Sequence, residues 1–379
     1  MDAPTETFHL QPISVPMPFQ SNDVYMYLYD GGETLTLFDA ALPTDDAWDR
    51  LERALAERGR TVRDIGRIIL THHHFDHTGL AGRLAAETGA ELCGHPEVAA
   101  AAALTYTYDE AHTAWMRGLL LGFGVPEDLV EQIVARRPLM KPFVHRVDRL
   151  DRALADGEMV DGFRVVHVPG HSPTDTLFVH EELGFSITGD HILEHVTPNP
   201  ILRRPPVGQP RARSLVEFEA SLRRTRALEL GWCFPGHGKP FDDHRPVVDR
   251  ILSTHEKRSQ RLLAWLRCPP PQSLEDTSPG PADLPPSKGD LETPSPGTAG
   301  LPPSKTAPLP PSKGDNSVTP YEAALHLYPR MGSDLLFFCM SATVGQLELL
   351  ESQGLAVSST KNGVLRYAPV TANEPEGER

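Results

Sequence analysis

A dense run of metal-binding residue types occupies positions 70–79, LTHHHFDHTG, which we call the histidine loop. The residues before it, IGRII, are mostly β-branched and predict a strand, whereas LAGRLAAETG after it predicts a helix. Strand and helix patterns also alternate nearby, from TLTLFDA through DDAWDRLERALAERG to AELCG. The histidine loop therefore joins a strand to a helix in an α/β fold, where such folds usually carry their chemistry.

Alternation along an extended chain sorts the side chains of the histidine loop. His72 and His74 are two residues apart, so they face the same side of an extended segment, and His73 faces the opposite side. Asp76 and His77 follow where the chain turns into the helix. Imidazole and carboxylate groups are good ligands for zinc and similar divalent ions, so the spacing predicts four convergent ligands. We expect a structural role for His73.

Three further metal ligands are predicted at the ends of distant apolar strands. His171 follows FRVVHVPG, Asp190 ends FSITGD, and His237 follows CFPG. Each of them stands close to a glycine, which allows the backbone to approach an ion. Together with the histidine loop, they predict a centre for two metal ions. His191, directly after Asp190, is expected to be structural or to support a ligand.

Changes in composition divide the chain into three parts. Residues 1–266 carry the strand and helix patterns, with a mostly helical insertion at about 96–140 that is expected to lie beside the metal ions. A peripheral packing hairpin is the alternative for that insertion. Residues 269–316 contain fourteen prolines and three LPPSK repeats, which predict a disordered linker. Residues 317–370 predict helix, helix and hairpin, the order of a small winged-helix domain.

These motifs strongly resemble those of the metallo-β-lactamase superfamily over about residues 7–266. The resemblance implies a four-layer αβ/βα sandwich with two metal ions at one edge of the central sheets. The ligands that it implies for the first metal are His72, His74 and His171. Those implied for the second metal are Asp76, His77 and His237. Asp190 would bridge the two metals, and Asp39, which ends TLTLFD, would orient a ligand or the histidine loop.

The tail, residues 317–370, is similar to the winged-helix extension of one subgroup of this superfamily. That subgroup includes bacterial hydrolases of unassigned substrate and a mitochondrial endoribonuclease. The segments LLFFCM, LELLESQG and RYAP carry the likeness. His74 stands where the diiron flavoproteins of the superfamily have glutamate, so the resemblance favours the hydrolase branch.

The resemblance implies a metal-dependent hydrolase in which a hydroxide held by two metal ions attacks the substrate. Zinc is the favoured metal, with iron and manganese as alternatives, and Asp76 is the candidate to orient the nucleophile and relay its proton. A small thioester, ester or lactone is the favoured substrate. The alternatives are an RNA endonuclease and, ranked third, a mononuclear iron persulfide dioxygenase, in which the second set of ligands would go unused.

The charge of the chain argues against nucleic acid as a partner. Lys and Arg number 36 against 51 Asp and Glu, a net charge of −15, and the tail has three basic and four acidic residues. An element that enters a phosphate-lined groove should be basic, so packing or homodimerisation is the favoured role of the tail. Seven arginines between positions 203 and 226 favour a solvated surface, with contact to an anionic substrate as the alternative.

Cysteine usage and the N-terminal residues predict a cytoplasmic protein. The four cysteines are far apart and form no C-x-x-C pair, which fits a reducing cytosol. The first residues, MDAPTETFHLQPISVPMPFQ, lack the basic and apolar regions of a signal peptide. No apolar run approaches the roughly 18 residues of a membrane span, so no membrane association is expected.

Overall fold

The computed structural model describes residues 3–18, 23–145, 147–268 and 317–370. The predicted linker, residues 269–316, lies outside these ranges. The first central sheet has six strands in chain order: β1 (Leu10–Val15), β2 (Val24–Tyr29), β3 (Leu35–Phe38), β4 (Ile65–Ile69), β5 (Glu91–Gly94) and β6 (Arg152–Ala153). The pairings β1–β2 and β2–β3 are antiparallel, and those from β3 to β6 are parallel.

The second central sheet has its strands in the order β11, β10, β9, β8 and β7. Its strands are β7 (Met159–Val160), β8 (Phe163–His167), β9 (Thr176–His180), β10 (Phe185–Gly189) and β11 (Trp232–Pro235). Only the β10–β11 pairing is parallel among these described strands. Each sheet therefore contains a parallel pair whose carboxyl ends reach the same edge, β3–β4 in one and β10–β11 in the other.

Aromatic side chains fill the space between the two sheets. Seven of them are at most 1% exposed: Tyr27, Tyr29, Phe38, Phe163, Phe178, Phe185 and Phe234. The rings of Phe38 and Phe163 meet edge to face, with centroids 4.9 Å apart. Full burial of one such ring contributes about 1.5–3 kcal/mol to stability. This packing fixes the spacing of the sheets, and with it the relative positions of the strand ends.

Helices cover the outer face of each sheet. The first sheet is covered by α1 (Asp45–Ala56) and α3 (Ala81–Thr88), and the one-turn helix α2 (Phe75–Thr78) precedes α3. Thr44 caps α1 by accepting a hydrogen bond from the Ala47 amide, and the helix buries Trp48 and Leu51 against the sheet. The second sheet is covered by α7 (Ser214–Arg226) and α8 (His244–Arg267). The predicted four-layer αβ/βα arrangement is confirmed.

The predicted insertion is helical. It contains α4 (Val98–Thr105), α5 (Glu110–Gly122) and α6 (Glu127–Arg136), followed by a 3₁₀ helix at Arg137–Phe143. Met116 and Leu120 of α5 share a hydrophobic core with residues of the tail, among them Leu336, Met340 and Val344. The insertion is therefore braced by the tail and does not stand out as an isolated hairpin.

The tail forms α9 (Pro320–Leu327), α10 (Leu336–Ser352) and a hairpin of β12 (Ala356–Lys361) and β13 (Val364–Pro369). The predicted turn at Asn362-Gly363 is observed, with both residues at positive φ. α10 is buried around most of its circumference by α7, α8 and α9. The predicted helix, helix and hairpin order is therefore observed, while the likeness to a winged helix stays a prediction.

None of the helices that the structure describes is both long enough and apolar enough to cross a membrane.

Candidate metal centre

Strand ends from both sheets meet at one edge of the sandwich. The histidine loop follows β4, Asp190 follows β10, and His237 comes two residues after β11. Hydrogen bonds join the strand ends: the Thr176 amide donates to the Thr71 carbonyl (2.9 Å), and the Gly236 amide donates to the Gly189 carbonyl (2.8 Å). The structure brings all seven predicted metal ligands together at this edge.

Three imidazoles form the first group of predicted ligands. The Nδ1 atom of His74 lies 3.0 Å from Nε2 of His72 and 2.9 Å from Nε2 of His171. Ligands about 2.0–2.1 Å from a tetrahedral zinc ion lie about 3.3 Å apart, close to these separations. Burial lowers the pKa of both His72 and His74, which keeps their rings neutral and their lone pairs available to a cation.

A second group contains two imidazoles and a carboxylate. Oδ2 of Asp76 lies 3.4 Å from Nε2 of His237 and 3.9 Å from Nε2 of His77. Burial opposes protonation of His77, but the negative charges of Asp190, Asp76 and Asp39 outweigh it and raise the His77 pKa. The second group is therefore electrostatically suited to hold positive charge.

Asp190 lies between the two groups. Its Oδ2 atom is 3.6 Å from Nε2 of His171 and 3.5 Å from Nε2 of His237, and its Oδ1 atom is 3.6 Å from Nε2 of His77. Among the described residues, neither His77 Nε2 nor Asp190 Oδ1 has a hydrogen-bond partner, although both atoms are buried. Buried polar atoms without partners are costly, and bound cations would satisfy them. The cluster is thus able to bind metal ions.

Asp39 contacts both the histidine loop and one residue of the second group. Oδ1 accepts a hydrogen bond from the Thr71 amide, and Oδ2 accepts from Thr71 Oγ1, each at 2.8 Å. Oδ2 is also 2.8 Å from Nδ1 of His77, which can donate to it. In the neutral imidazole, this hydrogen bond places the His77 proton on Nδ1 and leaves Nε2 free to bind a metal.

Main-chain carbonyl groups orient two more ligands, and the sequence carried no signal for either contact. Nδ1 of His171 lies 3.0 Å from the Asn199 carbonyl oxygen, and Nδ1 of His237 lies 2.9 Å from the Asp23 carbonyl oxygen. The Asn199 side chain in turn donates to the Phe338 carbonyl of α10 at 2.9 Å. α10 of the tail therefore holds Asn199, the residue whose carbonyl contacts the predicted ligand His171.

The model of the metallo-beta-lactamase superfamily matches residues 21–237, more than half of the 379 residues. The chain belongs to the metallo-β-lactamase superfamily. It is therefore a member of a superfamily of metal-dependent hydrolases, in agreement with the resemblance of its motifs.

Matches between this superfamily member and known proteins extend over most of the chain. The probable metallo-hydrolase YqjP of Bacillus subtilis is 27% identical over 345 residues, which span 90% of this chain and 92% of the relative. The crystal structure of the family protein TTHA1429 from Thermus thermophilus is 28% identical, with a TM-score of 0.68, and the match covers 96% and 99% of the two chains. An atrochrysone carboxyl ACP thioesterase of Aspergillus fumigatus is 23% identical over 224 residues, covering 58% of this chain and 52% of the enzyme.

The two histidines that were expected to be structural lie outside the clustered ligand groups. His73 faces away from Asp190: its Nδ1 lies 3.1 Å from Thr174 Oγ1 and its Nε2 lies 3.1 Å from Thr105 Oγ1. Nε2 of His191 lies 2.8 Å from Thr225 Oγ1. Burial lowers the pKa of each ring to about 3, so both stay neutral.

The arginines between positions 203 and 226 agree in part with the expected solvated surface, because the side chains of Arg213, Arg223, Arg224 and Arg226 are 47–61% exposed. Each is paired with a carboxylate, and most pairs join different elements. Arg211 and Arg213 bind Glu348 and Glu351 of α10, which fastens the tail to the segment before α7. Arg203 instead lines a small cavity beside His74 and His171.

Proposed function

We propose that the protein hydrolyses a small thioester, ester or lactone with two bound divalent metal ions. The observation that carries this proposal is the position of Asp190 between two groups of buried ligands. We assign His72, His74 and His171 to one metal, and Asp76, His77 and His237 to the other, with Asp190 shared. We propose zinc as the metal, with iron or manganese as alternatives, because imidazole and carboxylate ligands suit all three.

Divalent ions at these residues would lower the pKa of a water and polarise the bond to be broken. Asp76 is the proposed catalytic residue, because Oδ2 faces Nε2 of His237 and its side chain is 12% exposed, open enough to contact a reacting water. Its carboxylate would orient that water and accept its proton. Asp39 and the carbonyl of Asn199 would keep His77 and His171 in the tautomer and orientation that the ligands need.

Two features support a small acyl substrate. The insertion walls the space beside the histidine loop: the Phe75 amide donates a hydrogen bond to the hydroxyl of Tyr106, at 3.3 Å. Relatives of this chain include a protein named as a thioesterase, although this chain spans only about half of its length. A thioester is therefore the substrate that we test first.

The two alternative functions have less support. An RNA endonuclease would need a basic, accessible helix in the tail, but α10 is mostly buried and binds Arg211 and Arg213 through its own glutamates. A mononuclear iron dioxygenase would leave Asp76, His77 and His237 without a metal, and these residues form a buried group of their own.

The test is a panel of thioesters, esters, lactones and labelled RNA oligomers, with and without a chelator. We expect chelator-sensitive turnover of an acyl substrate and two bound metal ions per chain by elemental analysis. Asp190→Ala and His74→Ala should lose turnover and metal, whereas His195→Ala, which removes an 82% exposed imidazole, should lose neither. RNA cleavage without acyl turnover, or full activity of Asp190→Ala, would overturn the proposal.

A further inference from the structure

An open cleft of about 360 Å³ lies in the insertion, next to the metal centre. It is lined by Tyr106, Thr107, Tyr108, Lys141 and Val144. Tyr106 joins the cleft to the centre, because its hydroxyl accepts the hydrogen bond from the amide of Phe75, between two predicted metal ligands. The ring of Tyr106 also lies 6.1 Å from the ring of His73. Tyr106 therefore contacts the histidine loop and also lines the cleft, which places the cleft next to the metal centre.

Two cations meet at Tyr108 on the wall of the cleft. The Arg137 guanidinium lies 5.4 Å and the Lys141 ammonium 5.3 Å from the centroid of the Tyr108 ring. Nη2 of Arg137 donates to the carbonyl groups of Thr105 and Thr107, at 3.4 and 3.3 Å, which holds that side chain in place. Lys141 makes no ion pair within the described part of the chain. Its charge is thus available to a ligand.

Two more arginines approach from the segment before α7. Arg203 lines the small cavity beside His74, and its Nη2 lies 3.4 Å from Glu217. Arg204 lies 3.9 Å from Asp109, the residue that caps α5. We call Arg137, Lys141, Arg203 and Arg204 the cationic rim.

The cationic rim contrasts with the rest of the chain. In the part of the chain that the structure describes, two carboxylates, Glu217 and Asp109, form ion pairs with its four positive charges, whereas the whole chain has a net charge of −15. An excess of charge of one sign beside a site with low-dielectric walls attracts ligands of the opposite charge. The rim is positioned to attract anions toward the metal centre.

We propose that the cleft binds an anionic group of the substrate, a phosphate or a carboxylate, remote from the bond that is hydrolysed. This inference rests on the proposed function and narrows it to anionic thioesters or esters. Water adds to the acyl carbon, the bond to sulfur or oxygen breaks, and the products are a carboxylic acid and a thiol or alcohol. Binding energy from the remote anion would hold the acyl group at the metals.

Matched thioesters separate the two sources of the anion. Acetyl-coenzyme A carries phosphates on the thiol, succinyl-N-acetylcysteamine carries a carboxylate on the acyl group, and acetyl-N-acetylcysteamine carries neither. We expect kcat/KM to be at least tenfold higher for one anionic substrate than for the neutral one. Lys141→Glu should reduce that ratio at least tenfold. Lys257→Glu, on the exposed face of α8, is the matched control and should keep the ratio.

A binding measurement keeps this inference separate from the proposed function. Titration calorimetry with pyrophosphate and with succinate should detect binding to the metal-free wild type that weakens as salt is added and is lost in Lys141→Glu. Equal kcat/KM values for all three thioesters, or anion binding unchanged by Lys141→Glu, would overturn the inference. Failure of every thioester, ester and lactone to react, with anion binding retained, would refute the proposed function and leave the cleft assignment standing.

Discussion

Replacing Asp39 by asparagine should weaken metal binding, although the variant keeps all seven proposed metal ligands. Asp39 accepts hydrogen bonds from the amide and hydroxyl of Thr71 and lies 2.8 Å from Nδ1 of His77. An asparagine that keeps its oxygen toward the Thr71 amide presents its NH₂ group to His77. Nδ1 must then accept, so the imidazole proton moves to Nε2, the atom that faces Asp190.

The expected loss follows from the supporting role of this hydrogen bond. Partners of ligating histidines are worth about 10- to 100-fold in metal affinity, or about 1.4–2.7 kcal/mol. Asn suits the backbone here because Asp39 has a φ of 58°, a conformation that asparagine tolerates. Alanine would add strain of about 1–2 kcal/mol and confuse the result.

The measurement is competition for zinc against a chromophoric chelator. Asp161→Asn is the matched control, because Asp161 also has positive φ (48°), has a buried side chain, and binds Thr36 and Arg67. That variant should lose stability and keep its zinc affinity. Unchanged affinity in Asp39→Asn, or an equal loss in both variants, would refute the reasoning.

Three other perturbations follow from the structure. Gly236→Ala should abolish metal binding with the fold retained, because a Cβ at this position would overlap Oδ1 of Asp190. Gly82→Ala, where a Cβ would enter open space on α3, is the control and should leave the metal content unchanged by elemental analysis. Burial lowers the pKa of His112 to about 4. As the pH falls from about 6.5 toward 4, the His112 imidazole therefore takes up a proton in the unfolded chain but not in the folded chain. The free energy of unfolding, measured in urea, should fall over that pH range, and it should fall less steeply in His112→Leu than in the wild type. Equal slopes for the two proteins would contradict this prediction. Asn199→Ala removes the hydrogen bond to α10, and a single hydrogen bond contributes about 0.5–1.5 kcal/mol net. The variant should therefore bind zinc about 2- to 10-fold more weakly in the chelator assay. Unchanged affinity would mean that α10 does not support the centre.

Local chemistry explains what could be predicted from the sequence. The alternation of side chains in an extended segment separates His72 and His74 from His73, and the structure has the same division. Asn362-Gly363 specifies its turn through two residues that tolerate positive φ. The apolar strands that end at Asp190 and His237 were recognisable because residue type and position coincide there.

Tertiary structure alone decided how the centre is supported and what surrounds it. The carbonyl groups of Asn199 and Asp23 orient two histidines, and a carbonyl is present in every residue, so sequence gives it no signal. Arg211 finds Glu348 across 137 positions, a pairing that depends on where α10 packs. The sequence by itself therefore identified the seven residues that cluster at this edge and the elements that carry them. Packing between distant segments determined their orientation, the burial of the tail and the cationic rim, because these depend on contacts that no local pattern encodes.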